Sequence, residues 1–142
     1  MAYAFEMKIK AMQVREATGP AVKASADIAA AFADIANLDR EAFYVVTLNQ
    51  KHKVIDRHLI SLGTLTASLV HPREVFKPCI MDNAAALILV HNHPSGDPTP
   101  SKEDREITAR LQEGAKMLGF TLMDHIIIGR PGHCSFAEDG LL

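Results

Sequence analysis

Two histidines at positions 91 and 93, and an aspartate at 104, are the residues of this chain whose types and spacing could do chemistry. The histidines follow the apolar run 84–90, which has the length and composition of a buried strand. Side chains two apart on a strand point to the same face, so both imidazoles can converge on one ion. Imidazole nitrogen suits zinc, and catalytic zinc sites typically use three protein ligands and leave a fourth position for water. Asp104 offers the third ligand, one turn into a helix whose start is set by Pro100 and Ser101. Each piece alone has a plainer explanation. A single strand histidine is more often a core or surface residue, and Ser101-x-x-Asp104 has the form of a capping box, with the acid bonding back to the Ser101 backbone N–H. The joint pattern favours a metal: a strand, His-x-His, seven residues, Ser, two residues, Asp, and a helix.

The elements that must position these residues follow from hydrophobic periodicity. Ser25 is a good N-cap, and Ile28, Phe32 and Ile35 make one apolar helical face after it. Residues 41–48 and 54–61 read as two strands joined by a polar turn at 49–51, and residues 63–67 as a connection. Pro72 suits the first turn of a helix carrying Val75, Phe76 and Ile80, and Pro78 should kink or shorten it. A long helix opens at Ser101, buries Ile107, Leu111, Ala115 and Leu118, and ends at Gly119. Residues 120–128 form another strand. Strands mixed with helices in this order predict an α/β (α+β) domain, a mixed sheet flanked by helices.

Bulk properties bound the function. The chain has 142 residues, 48% hydrophobic and 23% charged, the size and composition of one folded domain. Fifteen basic and 17 acidic residues give a net charge of −2, and no basic stripe is present, so strong nucleic-acid binding is not expected. Cys79 and Cys134 form no CxxC pair and read as buried apolar fillers. No apolar run reaches the length of a membrane span or forms a leader, so the expected location is the cytoplasm.

The spacing His91-x-His93-x7-Ser101-x2-Asp104 resembles the JAMM motif of the JAB/MPN metalloprotease family. The longer string HNHPSGDPTPS at 91–101, together with GTLTASLVHPREVF at 63–76, DHIIIG at 124–129 and the final Gly140-Leu-Leu142, is similar to the bacterial RadC proteins. This resemblance covers Ser25 to the C-terminus. It implies a JAB/MPN-like fold of cytidine-deaminase-like architecture at 25–142, after an N-terminal extension at 1–24. RadC proteins of full length carry a helix-hairpin-helix segment ahead of this domain, so the chain resembles a short form or an excised catalytic domain. The resemblance further implies a Zn2+-dependent hydrolase that attacks an amide or isopeptide bond of a peptide or protein substrate. The JAMM motif takes a glutamate upstream, and RadC-like sequences supply it at the position of Glu41. From the residues alone, Glu74 is the rival, and the spacing does not choose between them. In the implied mechanism the glutamate accepts a proton from the attacking water and passes it to the leaving amine, and the Ser101 hydroxyl donates to the developing oxyanion. The alternative is a non-catalytic RadC-like interaction module associated with DNA repair or mobile-element functions, although nothing in these residues or this charge supports the repair label.

Other polar residues carry less. Asp97 could substitute as a ligand, but an acid in a Pro/Gly loop is usually a turn residue. His125 reads as structural or as a support for the ligands, His71 as leading into the Pro72 helix, and His52, His58 and His133 as surface positions. A zinc nucleobase deaminase would need H-x-E and P-C-x-x-C, both missing here. Magnesium nucleases rely on several carboxylates, whereas a His-His-Asp set favours zinc.

Overall fold

In the computed structural model, which describes residues 16–64 and 70–142, the β-branched run becomes strand β1, Glu41–Leu48, paired antiparallel with β2, Val54–Gly63. The turn between them closes on Asn49, whose side-chain oxygen accepts from the Lys51 and Lys53 amides. Strand β3, Ala86–Asn92, pairs antiparallel with the other edge of β1. Strand β4, Thr121–Ile128, lies parallel to β3, and the short β5, His133–Ser135, turns back along β4. The order is β2-β1-β3-β4-β5. This mixed sheet with helices on it is the α+β arrangement expected.

Two crossovers build the sheet. Helix α2, Pro72–Met81, carries the chain from β2 over to β3, and α3, Lys102–Leu118, carries it from β3 to β4. Both pack on one face, where Phe43, Val45, Leu87 and Leu89 meet Val75, Phe76 and Cys79 of α2 and Ile107, Leu111 and Ala115 of α3. The other face is covered by α1, Ser25–Ala31, and a 3-10 turn, Ala33–Ile35. There Ile28, Phe32 and Ile35 cover Val46, Leu48, Ile88, Val90 and Ile126. Because β3 is covered on both sides, all seven of its residues are buried, which is why its sequence is an unbroken apolar run rather than an alternation.

Several local expectations are corrected. Ser25 does not cap α1. Ala24 holds that position, and Asp27 caps the helix by accepting from the Lys23 and Ala24 amides. Ser25 instead donates to Glu138 and contacts His133. Helix α2 continues three residues past Pro78. The proline forfeits a bond to the carbonyl of Glu74, a residue on the exposed side of the helix. Leu118, expected in the buried stripe of α3, is 52% exposed, and of the apolar residues expected on α2 Ile80 is 57% exposed, while Cys79 is in the core as expected. β3 lies two residues later than the apolar run suggested, so His91 sits within the strand. The connection expected at 63–67 falls mostly outside the described residues. Among the described residues, no helix is long and apolar enough to cross a membrane.

Candidate metal centre

The site is built where β3 runs out. His91, fully buried, points to the α3 face, and His93 follows one residue after the strand ends. The His93 amide still donates to the Ile128 carbonyl at 3.0 Å, so the sheet ladder orients both histidines. The loop after His93 is pinned against the end of β4: the Arg130 amide donates to Gly96 O (2.7 Å), and the Arg130 guanidinium to Pro94 O (2.6 Å). Gly129 permits this closeness, because a Cβ there would lie 2.6 Å from Gly96 O and 2.8 Å from Pro98 Cδ. The loop then delivers Ser101 as the N-cap of α3.

Asp104 serves the cap and the cluster together. Ser101 Oγ accepts from the Asp104 amide at 3.1 Å, and Asp104 Oδ2 accepts from the Ser101 amide at 2.8 Å. The capping box therefore does not compete with the ligand set; it aims the carboxylate. Asp104 Oδ1 is 3.1 Å from His91 Nε2, Oδ2 is 3.0 Å from His93 Nε2, and the two ring nitrogens are 3.1 Å apart. One ligand atom from each of His91, His93 and Asp104 lies within 4.8 Å of the others, so the three could hold a metal ion.

The electrostatics fit a cation. His93 Nδ1 lies 2.7 Å from the Asp97 carbonyl, which can only accept, so Nδ1 carries a proton, and with the ring neutral the Nε2 lone pair would face Asp104. Burial alone would raise the Asp104 carboxyl, but contacts with His91 and His93 and the Ser101 amide outweigh it and hold the acid well below its usual range. The bond to Asp104 raises His93, and the charge of Glu41 adds to that rise. Glu41 opens β1 and lines a cleft with Asp39, Arg40, Gly63, Thr64 and Pro94, next in sequence to His93. Glu74 sits exposed on α2, 3.8 Å from Arg73. Asp97 is not drawn in as a ligand. Its carboxylate accepts from the Thr99 amide and hydroxyl, and only its backbone carbonyl serves the site.

Some functional neighbours were not foreseen. Asn92 is fully buried on the face opposite His91. Its Oδ1 accepts from the Ala42 amide at 2.7 Å and its Nδ2 donates to the Arg40 carbonyl at 3.0 Å, gripping the chain on both sides of Glu41. Thr108 lies one turn beyond Asp104, a spacing that could have flagged it; its hydroxyl is 2.6 Å from both the Asp104 carbonyl and His125 Nδ1. His125 is fully buried and touches His91, which agrees with the supporting role expected of it. Asp124 accepts from Ser135 Oγ and from the His125 and Ala137 amides, tying β4 to the C-terminal turn. His58 and His133, expected at the surface, are half-buried and engaged with Asp82 and Ser25.

Residues 22–141 match the RadC-like JAB domain family. The chain is 57% identical over 108 residues to a UPF0758 protein of Symbiobacterium thermophilum, covering 76% of this chain and 46% of that protein. A UPF0758 protein of Rubrobacter xylanophilus is 47% identical over 140 residues, 98% of this chain and 61% of that protein. A third, from Thermotoga maritima, is 51% identical over 105 residues, 74% of this chain and 47% of that protein. The chain thus spans about half the length of the curated relatives it matches. Matched over nearly all its described length, and carrying a His-His-Asp cluster at the end of its central strand, the chain belongs to the RadC-like JAB domain family.

Proposed function

We propose that this chain is a zinc-dependent hydrolase of the JAMM type, cleaving an amide or isopeptide bond in a peptide or protein. The observation that carries the reading is the convergence of two imidazole Nε2 atoms and one carboxylate, largely buried and mutually within hydrogen-bond distance. Such a group is costly to bury without positive charge between its members. Two nitrogens and one carboxylate form a donor set that zinc accepts in catalytic sites. A zinc ion held there would supply Lewis acidity toward water and toward a carbonyl oxygen.

The protein residues supply the rest. The cleft beside Glu41 receives the substrate next to His93. Glu41, whose charge already bears on His93, takes the proton of the attacking water and returns it to the leaving amine. The Ser101 hydroxyl accepts from the Asp104 amide through a lone pair, which leaves its own proton to donate to the developing oxyanion. The absence of a basic excess supports a protein substrate over a nucleic-acid partner. Cys79 and Cys134 are buried free thiols, and unpaired cysteines fit a reducing compartment, the cytoplasm.

Metal analysis of protein purified without added metal should return one zinc per chain. Glu41→Gln should then retain zinc and fold but lose turnover by about 10²–10⁴-fold on a peptide or isopeptide library, while Glu74→Gln keeps it. A metal-free protein of full stability would overturn the hydrolase reading in favour of an interaction module. Loss of turnover in Glu74→Gln alone would move the base and leave the metal centre standing.

A further inference from the structure

Behind the three candidate ligands runs a line of buried polar groups that the proposed chemistry does not use. Thr108 Oγ1 is 2.6 Å from the Asp104 carbonyl and 2.6 Å from His125 Nδ1. His125 Nε2 is 2.8 Å from His91 Nδ1. All three side chains are buried, His91 and His125 completely. The rings are also caged: His125 stacks on Phe136 at 4.8 Å and meets the edge of Phe43 at 5.8 Å, and Phe43 stacks on His91 at 5.9 Å. Neither ring can turn over without disrupting this packing.

Proton positions along this line follow from its two ends. A peptide carbonyl has no proton to give, so the Thr108 hydroxyl must donate its single hydrogen to Asp104 O. Thr108 can then only accept from His125, which places a proton on His125 Nδ1. At the other end His91 Nε2 faces His93 and Asp104, so with that atom read as the ligand the ring's single proton sits on Nδ1, which donates to His125 Nε2. The His91 Nε2 lone pair is left facing His93 and Asp104.

We propose that Thr108 and His125 are positioning residues that hold the His91 imidazole in its Nδ1–H form, with Nε2 presented to the Asp104 cluster. This rests on reading His91 as a metal ligand. The Asp97 carbonyl does the same for His93 by a separate route. The two ligands thus receive the same tautomer from different sources, one from a loop carbonyl and one from a relay anchored on the helix that also carries Asp104. Such outer hydrogen bonds to ligating histidines set tautomer and basicity, and losing one typically lowers metal affinity about 10–100-fold.

Nitrogen NMR of histidine-labelled full chain, with and without one equivalent of zinc, tests the relay directly. The expected result is a proton on His125 Nδ1, none on His125 Nε2, and a scalar coupling across the His91 Nδ1–H to His125 Nε2 bond in both samples. Thr108→Val, nearly isosteric, should lower zinc affinity about 10–100-fold and abolish that coupling, and Thr108→Ser should restore both. A purely packing role for Thr108 would be better served by Val than by Ser. A proton on His125 Nε2 in the unsubstituted protein, or an unchanged zinc affinity in Thr108→Val, would overturn the proposal. A protein that takes up no zinc yet shows the coupling would support the relay while removing the hydrolase reading.

Discussion

His91 and Asn92 are neighbours in one strand, both polar and both fully buried, and they point to opposite faces of the same sheet. On the Asn92 side every polar atom named finds a backbone partner: its oxygen takes the Ala42 amide and its nitrogen serves the Arg40 carbonyl. On the His91 side, Nε2 faces another imidazole and a carboxylate, groups that need a cation or protons between them. Burial of a polar residue at a strand end therefore does not by itself mark a ligand. The chemistry of its partners distinguishes them: donors matched to acceptors mean structure, and acceptors gathered on one point form a group that could hold a cation.

The contrast breaks most visibly at the ligands. His93→Ala should take zinc from one per chain to nearly none, because one of three protein ligands disappears. Its side chain is 12% exposed, so the fold should survive the loss better than it would at His91. Unchanged stoichiometry, measured by metal analysis after dialysis, would show that the gathered acceptors on this face do not hold the ion.

The opposite face should respond in the other currency. Asn92→Ala leaves the buried Ala42 amide without its acceptor, a loss of about 1–3 kcal/mol, read by thermal or denaturant unfolding. Zinc stoichiometry should not change. Turnover should fall, because Arg40 and Ala42 flank Glu41 and are no longer tied to β3. If Asn92→Ala lost its zinc, the two faces would not be separable and the contrast would collapse.

How much of this could be read from the residues differs between the same two faces. His91, His93 and Asp104 were legible because ligand types are few and strand and helix periods fix their spacing. β1 and the cap of α3 at Ser101 were legible for similar local reasons. The relay was not. The pairing of β3 and β4 shifts register between Leu87 and Ile88, and the extra residue on β4 sets Leu122 and His125, three apart, on one face. A bulge of one residue reverses which side chains face inward, and no alternation rule anticipates it. Asn92 escaped notice because its partners are backbone groups fifty or more positions away. β5 was too short, at three residues, to show any period.

Ser101 is the residue at which the two kinds of role meet, and the smallest stability effect sharpens the comparison most. Its oxygen accepts from the Asp104 amide, a cap whose removal by alanine costs about 1 kcal/mol, whereas glycine at the same place costs a few tenths. Its backbone is extended, with φ −79° and ψ 170°, so glycine is tolerated without strain. Neither substitute has a hydroxyl. Ser101→Ala and Ser101→Gly should therefore separate in unfolding free energy yet fall together in turnover, by about 10²–10³-fold if the hydroxyl serves the oxyanion. The backbone amide of residue 101 still bonds Asp104 Oδ2 in both, so zinc should remain. Turnover that tracked stability instead, with Ser101→Gly close to the unsubstituted protein, would place Ser101 with Asn92 among the residues that only hold the site in shape.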